Sequence, residues 1–184
     1  MRLFTGIAIP QDVQRNLARL IDHLRPHAHI KWSPPYNLHV TTKFIGEWPE
    51  PRLPELIDTL RALPGFPAFD VEIRSIGWFP NPHAPRVLWA AMTAPPALSQ
   101  LAAATDEALA TLGIEREKKP FSPHLTLARI KEPIPLGNLR KAIADLESVD
   151  FGSFHAANFH LYLSKPGPAS SIYTQVAEFP LLPQ

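Results

Sequence analysis

Two tetrapeptides of the form His-x-Thr-x offer the clearest chemistry in this chain: His39-Val40-Thr41-Thr42 and His124-Leu125-Thr126-Leu127. Each opens a run of strand-forming residues. Successive side chains of a strand alternate faces, so a histidine and a threonine two apart point the same way. Each motif therefore presents an imidazole beside a hydroxyl. Two such pairs facing each other supply a proton donor, a proton acceptor and two neutral hydrogen-bond donors. That set suits in-line displacement at phosphorus. An imidazole with an unperturbed pKa near ~6.5 can serve as acid or base near neutrality. The hydroxyls would hold the non-bridging oxygens as charge builds in the transition state.

A short motif carries little weight alone, but the rest of the chain repeats at the same interval. The two histidines are 85 residues apart, and at that shift Leu3 maps to Leu88, Pro10 to Pro95 and Phe69 to Phe154. Strands are expected at about residues 2–9 and 87–93, each running into a helix. Val13, Leu17, Leu20 and Leu24 have helical spacing, as do Leu98, Leu101, Leu109 and Leu112. A second helix carries Leu53, Leu56, Ile57 and Leu60, and its counterpart carries Leu136, Leu139, Ile143 and Leu146. Period-two alternation marks Phe69-Val71-Ile73, Phe159-Leu161-Leu163 and a closing strand at about 172–179. The expected fold is α+β: one bilobal domain over 1–184, with an internal repeat at roughly 2–78 and 87–164. Each pseudo-symmetric lobe is a mainly antiparallel sheet backed by helices, and the motif strands meet at a central cleft.

Bulk properties exclude several rivals. The chain of 184 residues can bury a proper core. Its apolar stretches fall short of a membrane span, and its start lacks a basic region followed by a long apolar segment. The absence of cysteine rules out disulfides and thiolate metal sites and fits a reducing, cytoplasmic setting. A net charge of +1 implies no large basic face for duplex nucleic acid. The 22 prolines exceed an average usage of about 5% and sit at element ends, as rigid loops.

The chain resembles the two-histidine phosphoesterase superfamily, and most of all its RNA 2′,3′-cyclic phosphodiesterases, formerly called 2′-5′ RNA ligases. The matching stretches are Arg2–Pro10 (RLFTGIAIP), Asn37–Glu47 (NLHVTTKFIGE), Arg86–Ala90 (RVLWA) and Pro120–Arg129 (PFSPHLTLAR). Thr42 departs from the pattern, which has an apolar residue there. The resemblance implies hydrolysis of RNA 2′,3′-cyclic phosphate ends to 2′-phosphomonoesters without metal or cofactor, with His39 as proton donor and His124 as acceptor. It also implies a reverse 2′-5′ ligation and a substrate contact from Arg129. Partners would be single-stranded RNA ends or nucleotides bearing the cyclic phosphate, met by a cytoplasmic monomer. The alternatives are the same chemistry on a small metabolite such as ADP-ribose cyclic phosphate, or a non-catalytic binder of RNA ends.

Strand parity adds Lys43 to the face of His39 and Thr41, where it could meet phosphate. Arg129 lies five residues past His124, so an ideal strand puts it on the opposite face, and a substrate contact there requires a bulge or a strand end. Phe121, Phe4 and Trp32 are candidates to stack on a base. His23, His27 and His29 would share no helical face, because Pro26 interrupts it. His155 and His160 have opposite parity and form no pair.

Overall fold

The computed structural model describes residues 1–183. In chain order the elements are β1 (Arg2–Ala8), α1 (Gln11–Leu24), β2 (Lys31–Trp32), β3 (His39–Glu47), α2 (Leu53–Arg61), β4 (Phe69–Phe79) and β5 (Val87–Thr93). They continue with α3 (Pro96–Ala110), β6 (His124–Arg129), α4 (Gly137–Ala144), β7 (Asp150–Ala156), β8 (Asn158–Lys165) and β9 (Ile172–Pro180). Two antiparallel sheets result, with orders β3-β1-β8-β9 and β2-β6-β5-β4-β7. The α+β expectation of two helix-backed antiparallel sheets holds.

The helices form where apolar residues recur every three or four positions. In α1, Val13, Leu17, Leu20, Ile21 and Leu24 are all buried, and each such side chain stabilises the fold by roughly 1.5–3 kcal/mol. Helix α3 ends before the Leu112 of its apolar pattern. Gly113 takes φ +87°, and the Ile114 N–H reaches back to the Leu109 carbonyl at 3.3 Å. That left-handed terminus stops the helix while keeping an apolar contact across the turn. Helix α4 is likewise shorter than its leucine pattern, ending at Ala144, so Leu146 packs from outside it. Strand β2 is additional to the expected elements.

The halves of the chain exchange elements. Strand β4, from the first half, pairs with β5 and β7 in the second sheet. Strands β8 and β9, from the second half, complete the first sheet beside β1. The helices cross in the same sense. Asn16 of α1 donates to the Phe151 carbonyl of β7 at 2.9 Å, and Asp106 of α3 meets Lys43 of β3. One apolar core, running from Leu3 through Leu88 to Leu161, serves both sheets. Among the described residues no helix is long and apolar enough to cross a membrane.

Candidate active site

Strands β3 and β6 approach one another and carry the two motifs. Their alternation is as the sequence dictates. Val40, Leu125 and Leu127 are buried on the helix side, while Thr41 and Thr126 are only half-covered on the other face. Thr42, the departure from an apolar pattern, also points inward. Its hydroxyl shares a 2.7 Å hydrogen bond with that of Thr5, so neither buried oxygen lacks a partner.

Both imidazoles are held the same way. His39 Nδ1–H donates to the Asn37 carbonyl at 2.6 Å, and His124 Nδ1–H donates to the Ser122 carbonyl at 2.8 Å. A carbonyl can only accept, so each neutral ring carries its proton on Nδ1 and presents the Nε2 lone pair. Thr41 donates its hydroxyl to that lone pair of His39 at 3.0 Å. Each histidine also rests on an aromatic from the neighbouring strand. Phe4 stacks on His39 at 4.6 Å and 27°, and Trp89 meets His124 edge-on at 5.9 Å and 74°. The indole of Trp89 lies against Gly77, where a Cβ would come within 2.7 Å of it.

The two histidines differ in setting. His39 is covered by Phe4, by Tyr173 edge-on at 5.0 Å and by Tyr162 at 5.9 Å. Burial pushes its pKa below the ordinary imidazole value, against the opposing pull of the Asn37 carbonyl. Its anchor is itself pinned, since Asn37 Nδ2 donates to the Ser171 carbonyl at 2.8 Å. His124 is exposed, and so is Ser122.

A bulge follows each threonine and decides which later residues share its face. In β3, Gly6 pairs with Thr41 but Thr5 pairs with Lys43, so Thr42 is an extra residue. In β6, Trp89 pairs with Thr126 but Leu88 pairs with Ala128, so Leu127 is the extra one. Residues paired across antiparallel strands lie on one face. Phe44 and Arg129 are thereby returned to the motif faces, where both are exposed, Phe44 at 63%. The bulge that Arg129 needs is present.

The same bulge overturns the expectation for Lys43. It pairs with Thr5, faces away from Thr41 and is 2% exposed, with Nζ 2.6 Å from Asp106 Oδ1 and 2.6 Å from the Glu115 carbonyl. Burial raises the Asp106 pKa, but the bond from Lys43 and the Glu117 N–H more than offset this and hold it below its usual value. Lys43 is thus a tie between β3 and α3. Phe4 is also corrected. At 4% exposure it offers no face to a base, and it supports His39 from beneath. Trp32 pairs with Ala128 on the buried side, donates to the Ala28 carbonyl and packs against the core. Phe121 is half-buried against the core, just ahead of the second motif.

His155 sits on β7 against Asp70, and His160 on β8 against Glu178. Among the described residues no three histidines, cysteines or carboxylates converge as a metal-binding group. Sequence parity missed Phe44, Trp89 and Asn37. The 85-residue shift could have found two of them, because it maps Phe44 onto Arg129 and Phe4 onto Trp89.

The profile of the LigT-like phosphoesterases matches this chain twice, at residues 7–89 and 92–173. A curated RNA 2′,3′-cyclic phosphodiesterase of Methanothermobacter thermautotrophicus is 32% identical over 98% of this chain and 99% of its own. One from Thermus thermophilus is 34% identical over 98% of this chain and 90% of its own. A solved Thermus thermophilus structure superposes with a TM-score of 0.80 at 32% identity, over 98% of each chain. The E. coli LigT structure solved with 3′-AMP gives 0.78 at 25% identity, over 98% of this chain and 97% of that one.

Proposed function

This chain belongs to the LigT-like phosphoesterase family, and we propose that it hydrolyses RNA ends bearing a 2′,3′-cyclic phosphate to 2′-phosphomonoesters. The observation that carries this is the pair of His-x-Thr faces with both Nδ1 atoms tied to backbone carbonyls. It leaves each Nε2 to exchange a proton at the cleft. The curated relatives, named RNA 2′,3′-cyclic phosphodiesterases, support the same substrate.

The steps balance with these groups alone. Water attacks phosphorus as His124 Nε2 takes its proton. The bond to the ribose 3′ oxygen breaks, and that oxygen gains the proton of His39 Nε2. The hydroxyls of Thr41 and Thr126 donate to the non-bridging oxygens, where charge accumulates. His39 must start protonated, and burial opposes that. The phosphodiester anion bound beside it supplies the compensating charge. With an RNA 5′ hydroxyl in place of the attacking water, the same groups can open the cyclic phosphate to a 2′-5′ bond, His124 taking the hydroxyl proton and His39 protonating the leaving 3′ oxygen, with hydrolysis prevailing in water. Phe44 and Arg129, at matching places on the two motif strands, offer an aromatic face on one side and a cation on the other. That difference can hold the sugar in one orientation where the symmetric motifs cannot. Phe121 stands ready at the entry to β6 to contact the base. The protein is expected to act as a cytoplasmic monomer on single-stranded ends.

The test is hydrolysis of an RNA oligonucleotide ending in a 2′,3′-cyclic phosphate, with product compared against 2′- and 3′-phosphate standards. The expected product is the 2′-phosphate, at a rate unchanged by exhaustive EDTA treatment. A 3′-phosphate would reverse the acid and base labels. Activity lost to chelation and restored by magnesium would overturn the metal-free mechanism.

A further inference from the structure

We propose that Lys31, with Arg129, forms a second phosphate site that holds the phosphodiester preceding the reacting nucleotide, so that the cleft is built for an RNA strand and not for a lone cyclic nucleotide. The proposal rests on the cyclic phosphodiesterase reading above and names the substrate class within it. Strand β2 adds to the edge of β6 immediately beside the second motif. Lys31 is directly opposite Arg129, and Trp32 is directly opposite Ala128. Arg129 in turn faces Val87, two residues from the Trp89 that faces Thr126. Lys31, Arg129, Thr126 and His124 therefore share one face of the sheet. Ser33, on the same side, donates its hydroxyl to the Thr126 carbonyl at 2.7 Å and its N–H to the Leu127 carbonyl at 2.8 Å, which fixes β2 in this register.

Like charges placed directly across a strand pair repel and destabilise the pair. Lys31 and Arg129 are both exposed, and among the described residues neither has a carboxylate within salt-bridge distance. Lys43 on β3, by contrast, is buried and paired with Asp106 and Glu117. A pair of unneutralised cations on the cleft face suits an anion from solution. Leu127 is bulged out, so Arg129 sits two ladder steps past Thr126, about 6.6 Å at a strand rise of ~3.3 Å per residue. Lys31 lies one strand further toward the sheet edge, outward of an oxygen bound between Thr41 and Thr126. The phosphate they meet is accordingly the next one along the chain. A nucleoside 2′,3′-cyclic phosphate lacks that group, and an oligonucleotide has it.

The experiment compares wild type with Lys31→Ala and Lys31→Arg on three substrates: a nucleoside 2′,3′-cyclic phosphate, its 5′-phosphorylated form, and a short RNA ending in the same nucleotide. Lys31→Ala is expected to lower kcat/KM about tenfold on the RNA and to leave the unphosphorylated nucleotide unchanged, with Lys31→Arg restoring most of the loss. The 5′-phosphorylated nucleotide carries a phosphate at the same place and is expected to show most of the same loss, and a loss confined to the RNA would overturn the assignment of the site to the phosphate preceding the reacting nucleotide. Equal losses on all three substrates, or none, would overturn the second site altogether. Binding of the product oligonucleotide, measured without turnover, separates this proposal from the activity itself. Its salt slope should shrink by about 0.7 in Lys31→Ala, as one cation contact to a single strand is lost, even if the chain hydrolyses nothing.

Discussion

At the scale of single residues, the site depends on two imidazoles acting as one acid–base unit. Replacing His39 or His124 by alanine should each remove most turnover, on a scale of roughly 10²–10⁴-fold per group. The double variant should be little worse than either single one, because groups that act together are strongly non-additive. Steady-state kinetics on a cyclic phosphate substrate decides this, and near-normal activity in either cleanly folded variant would dismiss the two-histidine mechanism. The covering of His39 by Phe4, Tyr162 and Tyr173 makes a second prediction. In the substrate-free protein His39 should lose its proton at a lower pH than a free imidazole, and a bound phosphate anion should move that pH upward. The sign for stability follows from the same burial. Above the unfolded value of ~6.5 both states are neutral and stability is full, and it is lost as pH falls through the folded value, where the unfolded chain binds the proton more readily. Tracking the His39 ring resonances through pH, with and without inorganic phosphate, reads the shift. Titration at or above the ordinary value in the free protein would contradict it.

At the scale of elements, the two bulges determine which side chains face the chemistry. One extra residue after each threonine turns Lys43 inward and Arg129 outward, the reverse of simple alternation. Substitutions at these two positions should therefore separate cleanly. Arg129→Ala should lower kcat/KM and leave the melting temperature close to wild type, since exposed positions usually change stability by no more than about 0.5 kcal/mol. Asp106→Ala should do the opposite. It removes the nearest carboxylate from the buried Lys43 ammonium and should cost about 3 kcal/mol, the lower end for a broken buried pair, because Glu117 stays 3.4 Å away and Asp106 keeps 20% of its side chain exposed. Chemical denaturation and steady-state kinetics on both variants test the separation. An Arg129→Ala protein that is destabilised with unaltered kinetics would show that the bulge serves packing alone.

At the scale of the molecule, the exchanged elements make the two halves interdependent. Strand β4 is interior to the second sheet and β8 to the first, and α1 and α3 each cover a sheet begun by the other half. Neither half can close a core alone. A fragment of residues 1–83 should be unfolded in isolation, as should 84–184, and the two mixed should recover structure and turnover. The intact chain should unfold in one transition seen alike by far-ultraviolet dichroism and tryptophan fluorescence. Two separate transitions, or a folded isolated half, would mean that the sheets are independent units.

The His-x-Thr pairs, their 85-residue spacing and the apolar periods of α1, α2 and α3 were legible in the sequence because each depends on local stereochemistry: alternation along a strand, or recurrence along a helix. The same locality explains why the inward facing of Val40, Leu125 and Leu127 follows from alternation alone. The α+β class and the catalytic candidates follow from those patterns too. Parity does not survive an inserted residue, so simple alternation puts Lys43 on the wrong face and Arg129 needs a bulge that only the pairing of β5 with β6 reveals. Nor could a repeat show which sheet each strand would join, because β4 and β8 are equally apolar to either partner. Phe4 has the composition of a stacking residue, and only its place beneath His39 makes it a support. Lys31, in a two-residue strand too short to leave a pattern, gains its meaning from Arg129 across the ladder. Side-chain type and spacing are written along the chain, whereas facing, burial and partnership arise between segments far apart in it, and the tertiary structure alone decides them.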